Sequence, residues 1–369
     1  MLPSSVILCT VLLTVTICSS MNIFQRRLAP RSEKAVINED PLRSLTKSGQ
    51  VDSSSAGLNQ NQAKSTNIKP ASSVSSDETS LMAILSRFQS RLAFRTRPVV
   101  NTHNFDYKYN VPQACAGKTV ELMIAALSRV NSFTRRQTIR ETWGQFATGA
   151  NKTVLLFFLG STTDKNIQEK VAAEAQKHGD IVQETFIDSY RNLSLKSVAL
   201  VRWISLYCPD STFVLKADDD MYINVPRLLS RLRAQFDKGP LFIMGFLLKE
   251  IRPIRTEKHK WYLSTKVYPE PTFPNYVCGT AYAMTTTAAL RLYVESFYVR
   301  PLFLEDVYLT GILADKASVP RISESTFSPI KIKATGCTYK TRISGHRNSP
   351  TDMRKIHAEL FDPNLKCEK

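Results

Sequence analysis

The sequence predicts an α/β domain built on a mostly parallel sheet in the C-terminal part of the chain. Apolar runs of strand length alternate with helix-like segments between residues 120 and 216, as in a parallel sheet with crossover helices. Three adjacent aspartates, Asp218 to Asp220, follow the last of these runs almost directly. Ligands of open α/β sheets bind beyond the carboxyl ends of the strands. The aspartates therefore stand where a functional site is expected.

Four strands and three helices account for this alternation. The third helix, for example, carries Leu195, Val198, Arg202 and Leu206 at spacings close to a helical turn. No internal repeat of 20 to 50 residues is visible, so a solenoid or propeller is not expected. The strands are predicted at 120–127, 154–159, 181–187 and 212–216, and the helices at 134–146, 165–177 and 195–207.

The N-terminal part begins with an apolar segment, which is followed by a polar region. Residues 6–18 are apolar apart from threonine, and the uncharged stretch continues to Phe24. Small residues at 18–20 suit signal-peptide cleavage, whereas the length to Phe24 is near the minimum for a membrane anchor. The Ser-, Asn- and Gln-rich region that follows is too poor in apolar residues to form a core, apart from a helix-like stretch at 81–94. We therefore divide the chain into a signal-anchor or transmembrane segment at 1–24, a flexible stem at 25–110 and a folded domain at 111–369.

The charge of the chain narrows the classes of partner. Its 369 residues include 49 Lys and Arg against 32 Asp and Glu, a formal charge of +17. Such an excess suits nucleic acid, an anionic membrane or a phosphorylated small molecule. No run of five or six adjacent basic residues occurs, and a polybasic arm for nucleic acid is therefore missing. We expect no nucleic-acid partner.

Cysteines and glycosylation triplets fit a protein of the secretory pathway. Five of the seven cysteines lie outside the apolar segment, which permits at most two disulfides and leaves their pairing open. No Cys-x-x-Cys pair occurs, which argues against a zinc ribbon or a thioredoxin-like motif. Asn151 and Asn192 begin Asn-x-Ser/Thr triplets, which are glycosylation acceptors only if the domain is lumenal.

The aspartate cluster has three interpretations. Adjacent carboxylates repel one another, and a divalent cation such as Mn²⁺ or Mg²⁺ relieves that repulsion and can bridge a diphosphate. The cluster is otherwise a solvated acidic turn, or part of a phosphohydrolase in which Asp218 is the nucleophile. An EF-hand is excluded, because the loop lacks alternating ligands around a central glycine.

Two other motifs also have both structural and chemical interpretations. Glu305 and Asp306 precede a helix-like segment, where carboxylates cap the helix N-terminus. Alternatively, one of them is a general base that removes a proton from an incoming hydroxyl; from these residues alone, capping is favoured. Arg135, Arg136 and Arg140 lie near the start of the first helix, where arginines bind phosphate or form a solvated face.

Seven motifs occur in the order found in one enzyme family: RRQTIRETWG, FFLG, DSYRNLSLKS, VLKADDDMYIN, PIRTEKHKWY, NYVCGTAYAM and EDVYLTGILA. They resemble the β-1,3-galactosyltransferases and β-1,3-N-acetylglucosaminyltransferases of glycosyltransferase family 31 over essentially all of residues 120–367. The resemblance implies that residues 111–369 are a lumenal catalytic domain with the GT-A fold, an α/β sandwich around a Rossmann-like nucleotide-binding sheet. It implies a single-pass type II membrane protein of the Golgi apparatus.

The resemblance also implies an inverting enzyme that uses a UDP-sugar, a glycan acceptor on a glycoprotein or glycolipid, and Mn²⁺, with Mg²⁺ as the other candidate. Asp306 matches the family's catalytic base, which reverses the preference for capping. Asp220 is similar to the Mn²⁺ ligand, and His346 to a second metal ligand. The resemblance further places Asp218, Asp219, Arg135, Arg136 and Arg140 on the nucleotide side, Trp261, Tyr262 and Glu305 on the acceptor side, and Cys337 and Cys367 in a family cysteine pair.

The sequence departs from the family pattern in two places. The usual Tyr-Cys-Ser-Gly appears as Tyr-Val-Cys-Gly at 276–279, and one position in a strand reverses the face of a side chain, so a bridge to Cys278 is in question. Lys and Arg are missing before the apolar segment, whereas three arginines follow it by residue 31. That distribution disagrees with the type II orientation, which rests here on the glycosylation triplets and the cysteines.

We therefore expect transfer of galactose from UDP-galactose to a hydroxyl of an acceptor glycan. The alternative is a β-1,3-N-acetylglucosaminyltransferase that uses UDP-N-acetylglucosamine, because these motifs discriminate sugar donors poorly. A rival of another class is a non-catalytic sugar-binding protein on the same fold, which would lack a working base.

Overall fold

The computed structural model describes residues 97–367. In this part the strands are β1 (Tyr107–Tyr109), β2 (Leu122–Leu127), β3 (Thr153–Ser161), β4 (Ile181–Ile187), β5 (Phe213–Asp218), β6 (Tyr222–Ile223), β7 (Ile243–Leu248), β8 (Tyr276–Thr285), β9 (Arg321–Ser323) and β10 (Ser344–Gly345). The helices are α1 (Phe133–Glu141), α2 (Lys165–His178), α3 (Leu193–Tyr207), α4 (Val225–Phe236), α5 (Thr286–Ser296), α6 (Gly336–Thr341) and α7 (Pro350–Leu360). A π-helix, Val307–Leu313, continues into the short helix Ala314–Lys316.

Eight of these strands form one sheet in the order β1-β4-β3-β2-β5-β8-β7-β9. Strands β2 to β5 are parallel, because α1, α2 and α3 each carry the chain back between successive strands. β1 is antiparallel to β4, and β8 is antiparallel to both β5 and β7. β6 and β10 form a separate two-stranded ribbon, which becomes important at the site.

The central strands are covered on both faces. Alternate residues of β2 enter two different cores: Leu122, Ile124 and Ala126 face one, and Met123, Ala125 and Leu127 face the other. A strand that is buried on both faces has a continuous apolar run rather than an alternating one. This is why the parallel strands are conspicuous in the sequence.

The structure confirms the predicted α/β class, and all seven predicted elements are present with ends shifted by a few residues. The first helix is shorter than predicted. It ends at Glu141, and a separate 3-10 turn follows at Trp143–Phe146. Gly144 lies in that turn, where an added Cβ would stand 2.5 Å from the Ile139 carbonyl oxygen. The chain therefore packs too closely against α1 here for a residue with a side chain.

The folded part begins before the predicted residue 111. Arg97 forms a two-pronged ion pair with Glu295 of α5 at 2.7 and 2.9 Å, and β1 pairs with β4. The predicted segment at 1–24 and the helix-like stretch at 81–94 lie outside the described residues. Within residues 97–367, no helix combines the length and the apolar character needed to cross a membrane.

Two disulfides link the described chain. Cys115–Cys208 joins the segment before β2 to the end of α3, and Cys337–Cys367 ties α6 to the C-terminal segment. The second is the pair that the family resemblance suggested, whereas the first pairing was left open. Cys278 is a buried free thiol, and burial raises its pKa to about 12.

The two glycosylation triplets lie in different settings. Asn151 is exposed in the turn before β3, where its amide donates to the carbonyl of Phe146. Asn192 precedes α3, and its amide donates to the carbonyl of Ile187 at 2.8 Å. Ser194, the third residue of that triplet, is buried and donates to the carbonyl of Leu302.

Candidate functional site

The three aspartates lie at the carboxyl end of β5, in the middle of the sheet. Asp218 is the last residue of the strand, and Asp219 and Asp220 form the turn into β6. Asp219 accepts a hydrogen bond from Ser128, which directly follows β2, at 2.8 Å. Neighbouring parallel strands thus bring their carboxyl ends together at this turn, as expected for an open α/β sheet.

The β6–β10 ribbon brings His346 to the aspartate turn. Gly345 pairs with Tyr222, so the residue after β10 stands beside the residues before β6. The backbone N–H of Asn348 donates to the carbonyl of Asp220 at 2.9 Å. His346 Nε2 consequently lies 3.3 Å from Asp220 Oδ1, although 126 residues separate them in sequence.

Asp218, Asp220 and His346 offer ligand atoms within 4.8 Å of one another. His346 Nδ1 lies 3.1 Å from the carbonyl of Pro329, and because a carbonyl only accepts, we assign the ring proton to Nδ1. In the neutral imidazole, Nε2 then presents a lone pair. That lone pair faces Asp220 Oδ1, a buried oxygen without a hydrogen-bond partner among the described residues. Two facing acceptors suit a cation between them.

The three predicted arginines have different surroundings. Arg135 Nη1 lies 3.6 Å from Asp219 and 3.9 Å from Asp220, and it has no hydrogen-bond partner among the described residues. Arg136 is fully buried, pairs with Glu174 and supports Ser128 from behind. Arg140 is not brought to the aspartates. Its guanidinium is bound by Asp180 and Glu174 and stacks on Phe157.

Asp306 stands at the start of the π-helix, and its two carboxylate oxygens are held by separate backbone groups. Oδ1 accepts from the N–H of Val307 at 2.9 Å, and Oδ2 accepts from the N–H of Gly279 in β8 at 3.0 Å. A Cβ at residue 279 would lie 2.9 Å from Glu305 Oε2 and 3.1 Å from the Asp306 Cβ. A larger residue at 279 would therefore displace these two carboxylate side chains. The capping contact and the chemical role do not exclude each other.

Burial and neighbouring charges shift the pKa values of Asp218 and Asp306 in one direction and that of Asp220 in the other. Burial, followed by the charge of Glu305, raises the pKa of Asp306 to about 6. Burial also raises the pKa of Asp218 to about 6, opposed by Lys216 and reinforced by Asp220. For Asp220, burial acts in the same direction, but a protonated His346 that donates to it, together with the charge of Arg135, outweighs burial and lowers its pKa.

Glu305 is buried next to Asp306. Its Oε1 accepts from Ser197 at 2.7 Å and from the Tyr282 hydroxyl at 2.6 Å. Its other oxygen lies 3.8 Å from Lys216 Nζ. The structure therefore engages both carboxylate oxygens of Glu305 with protein groups.

An aromatic and basic group lies on the segment between β7 and β8. Trp261 is half-buried and donates from its indole N–H to the Tyr190 hydroxyl at 2.7 Å, and Lys260 Nζ lies 3.9 Å from the centre of the Tyr190 ring. Burial, with added effects of Asp306 and Asp218, raises the pKa of Tyr190 to about 12. Tyr262, the next residue after Trp261, is half-buried and forms an isolated β-bridge with Ile254.

Comparison with known proteins assigns the chain to a protein family. The family profile described as Galactosyltransferase matches residues 134–325, which is more than half of the chain and includes both the aspartate turn and Asp306. The chain belongs to the galactosyltransferase family. The resemblance inferred from the seven motifs is thereby confirmed, and the chain is a glycosyltransferase enzyme by family.

Comparison with individual relatives gives the same family. The chain is 33% identical to beta-1,3-galactosyltransferase 1 of Mus musculus and of Homo sapiens over 276 residues, 74% of this chain and 84% of the relative. It is 30% identical to beta-1,3-galactosyltransferase 2 of Homo sapiens over 268 residues, 70% of this chain and 63% of the relative. Among solved structures, a galactosyltransferase in complex with donor and acceptor sugar analogues matches with a TM-score of 0.32 and 13% identity, over 66% of this chain and 90% of that one. That score is too low to transfer any residue role.

Several residues of the site escaped prediction from the sequence. Lys216 interrupts an apolar strand just before the aspartates, and a charged residue inside such a run is itself a signal of a buried ion pair. Ser128 and Gly279 act through hydrogen bonds to Asp219 and Asp306. Their contacts join segments distant in the chain, and no local pattern marks them.

Proposed function

We propose that this chain is an inverting β-1,3-galactosyltransferase that transfers galactose from UDP-galactose to a hydroxyl of an acceptor glycan. The observation that carries the proposal is that the site contains two functional groups. The first is a cluster of three side chains that could hold a cation, Asp218, Asp220 and His346. The second is the carboxylate of Asp306, whose pKa is raised to about 6. A transferase needs both a counter-charge for a diphosphate and a base for a hydroxyl.

The residues of the cluster fit a divalent cation such as Mn²⁺ or Mg²⁺. Carboxylate and imidazole ligands suit such metals, and the Asp220 oxygen that faces His346 lacks any hydrogen-bond partner among the described residues. Asp220 and His346 would hold the ion, with Asp218 as the third ligand. When bound, the ion acts as a Lewis acid and neutralises negative charge on the departing diphosphate.

Arg135 places a positively charged side chain beside the proposed metal ligands. Its Nη1 lies within 4 Å of Asp219 and Asp220 and makes no hydrogen bond within the described residues. An N–H donor left free beside the metal ligands is suited to a phosphate oxygen. We assign Arg135 to the diphosphate, Arg136 to the support of the turn, and no nucleotide contact to Arg140.

Asp306 acts as the general base in this proposal. It takes the proton from the acceptor hydroxyl while that oxygen forms a bond to the anomeric carbon of galactose. The bond from that carbon to the UDP oxygen breaks, and UDP leaves with the electron pair. Attack from the face opposite UDP inverts the anomeric configuration. The backbone N–H groups of Gly279 and Val307 fix the direction of the carboxylate throughout.

Trp261 and Tyr262 are proposed on the acceptor side, joined by Tyr190, which the structure adds to the group. The Tyr190 hydroxyl accepts a hydrogen bond from the Trp261 indole, and the charges of Asp306 and Asp218 contribute to the raised pKa of Tyr190. Aromatic rings with a polar edge bind both the apolar face and the hydroxyls of a sugar.

We also propose a type II anchor in the Golgi membrane with the catalytic domain in the lumen. The apolar segment at 6–18 and the glycosylation triplets at Asn151 and Asn192 support this location, as do two disulfides, which persist in oxidising compartments. Protease protection of the domain in sealed Golgi vesicles tests it, and digestion without detergent would contradict it.

The function is tested with purified full-length protein and Mn²⁺. UDP-galactose, UDP-N-acetylglucosamine and UDP-N-acetylgalactosamine are each combined with acceptors ending in Gal, GlcNAc, GalNAc or Man. We expect transfer from UDP-galactose with a new β-1,3 bond. Transfer only from UDP-N-acetylglucosamine would assign the alternative donor, whereas binding of sugars without transfer would favour the non-catalytic rival. Asp237→Asn, at an exposed carboxylate after α4, is the control for Asp306→Asn.

A further inference from the structure

Lys216 is a buried cation that touches both halves of the site. Its side chain has no exposed surface, and charged side chains are rarely so buried without partners. Its Nζ lies 2.6 Å from Asp218 Oδ1 and 3.8 Å from Glu305 Oε2, and it donates to the carbonyl of Gly279. One ammonium therefore contacts the aspartate turn, β8 and the residue before Asp306.

Gly279 extends this contact to Asp306. Its carbonyl accepts from Lys216, and its N–H donates to Asp306 Oδ2 at 3.0 Å. Residue 279 packs closely against Glu305 and Asp306, and a Cβ there would displace their side chains. A change in the position of Lys216 would therefore be transmitted through Gly279 to the carboxylate of Asp306.

Packing alone does not explain a lysine at this position. Lys216 stands opposite Tyr282 in the β5–β8 pair, with its Nζ 5.6 Å from the ring centre. Its strand neighbours Val214 and Leu215 are fully buried apolar residues, and a methionine would fill a similar volume without burying a charge. The charge matters because Asp218, Glu305 and Asp306 gather around one ammonium.

We propose that Lys216 is a positioning residue that couples Asp218, on the side of the sugar donor, to the base Asp306. The inference rests on the proposed function, because it concerns the same site and reaction. Asp220 and His346 are held by the β6–β10 ribbon rather than by Lys216. Loss of Lys216 should therefore leave UDP binding largely intact and misplace the base.

The first test compares Lys216→Met with wild type in the transfer assay with Mn²⁺. A displacement of about 1 Å costs about 100-fold in rate, so we expect kcat to fall by about that factor while the affinity for UDP changes less than about fivefold. Arg202→Met is the matched control. It removes another cation that is bound to a buried carboxylate, Glu184, but it should lower only the unfolding temperature. A folded Lys216→Met protein with kcat within threefold of wild type would overturn the proposal.

The second test covers the case in which Lys216→Met does not fold, and its stability measurement needs no bound metal. In Lys216→Met/Asp218→Asn, the half-buried carboxylate charge that loses its partner is removed as well. The metal-free double variant should unfold at a higher temperature than Lys216→Met, or should fold where the single variant fails. Its kcat should be at least tenfold below that of Asp218→Asn, because Gly279 and Asp306 have lost their anchor. Equal kcat values for those two proteins would overturn the coupling.

The wild-type arm separates the two proposals. Wild type without transfer to any acceptor would refute the proposed function itself. Active wild type with an unaffected Lys216→Met variant would refute only the role of Lys216. Rescue of Lys216→Ala by methylammonium, with no rescue of Lys216→Met, would support the requirement for a cation at this position.

Discussion

Replacing Asp306 with asparagine changes the proposed base while keeping its size. General-base catalysis contributes about 10²–10⁴-fold to a rate, so transfer should fall by that range, about 3–5 kcal/mol in barrier. The turn that holds Asp218 and Asp220 is untouched, and the affinity for UDP should change little. The variant thus separates chemistry from nucleotide binding.

The same substitution has a calculable effect on stability. The pKa of Asp306 is raised from 3.8 to about 6 in the folded protein, so the folded state binds more protons than the unfolded state between those values. Its contribution to the free energy of unfolding therefore falls as pH rises through this window, by at most about 3 kcal/mol and by less because Asp306 is partly exposed.

Asparagine removes that pH dependence, but it offers one acceptor oxygen to the two N–H groups of Gly279 and Val307. The lost hydrogen bond costs about 1–3 kcal/mol, so the two effects nearly offset each other at pH 7.5. Relative to wild type, the variant should therefore gain stability as pH rises from about 4 to about 6.

Three measurements test the role and the raised pKa of Asp306: initial rates of transfer, UDP binding by calorimetry, and denaturant unfolding at several pH values. Asp237→Asn should match wild type in all three. If Asp306→Asn transferred galactose within tenfold of the wild-type rate, the assignment of the base would be wrong. If the stability difference did not change with pH, the buried, raised-pKa state of Asp306 would be refuted.

Three further predictions concern the metal, the pH profile and the disulfides. Asp220→Ala should abolish Mn²⁺-dependent UDP binding in calorimetry, and intact binding would contradict its role as a ligand. In wild type, kcat/KM should fall by about tenfold or more per pH unit below about 6, because Asp306 and the proposed metal ligand Asp218 both become protonated there; a rate that stays flat to pH 5 would count against the role of Asp306. Replacing Cys115 and Cys208, 93 residues apart, by serine should lower the free energy of unfolding by up to about 4.6 kcal/mol. The same change at Cys337 and Cys367, 30 residues apart, should cost up to about 3.6 kcal/mol; a larger loss at the second pair would contradict the loop-entropy argument.

The first half of the domain was predictable because its strands are buried on both faces and its helices cross between them. Apart from the helix-like segment after Asp306, the elements after Asp220 were not assigned from sequence. β6 and β10 have two residues each, too short for any periodic pattern, yet their pairing brings His346 to Asp220. β8 lies between antiparallel neighbours far apart in the chain, and only tertiary packing determines that partnership.

Some of the site residues were likewise predictable from the sequence, and others were not. Asp218 to Asp220 were found because adjacent carboxylates are conspicuous. The partners of Arg140 could not be predicted, because an arginine binds a phosphate or a carboxylate equally well. In the fold, Glu174 and Asp180 supply the carboxylates. The contacts of Glu305 could not be predicted either, since its burial depends on Ser197 and Tyr282 from other elements.

Two carboxylates of this site, in different environments, are suited to opposite tasks. Asp220 lies beside His346, which donates to it when protonated, and beside Arg135. Both lower its pKa against the effect of burial, so it stays ionised and is suited to a cation. Asp306 is half-buried beside Glu305, and partial burial followed by the charge of Glu305 raises its pKa towards the range where a base exchanges protons readily. A phosphohydrolase would instead need Asp218 as a free nucleophile, but Lys216 holds Asp218 Oδ1 at 2.6 Å. The division of charge between Asp220 and Asp306 therefore favours transfer to a hydroxyl over hydrolysis through Asp218.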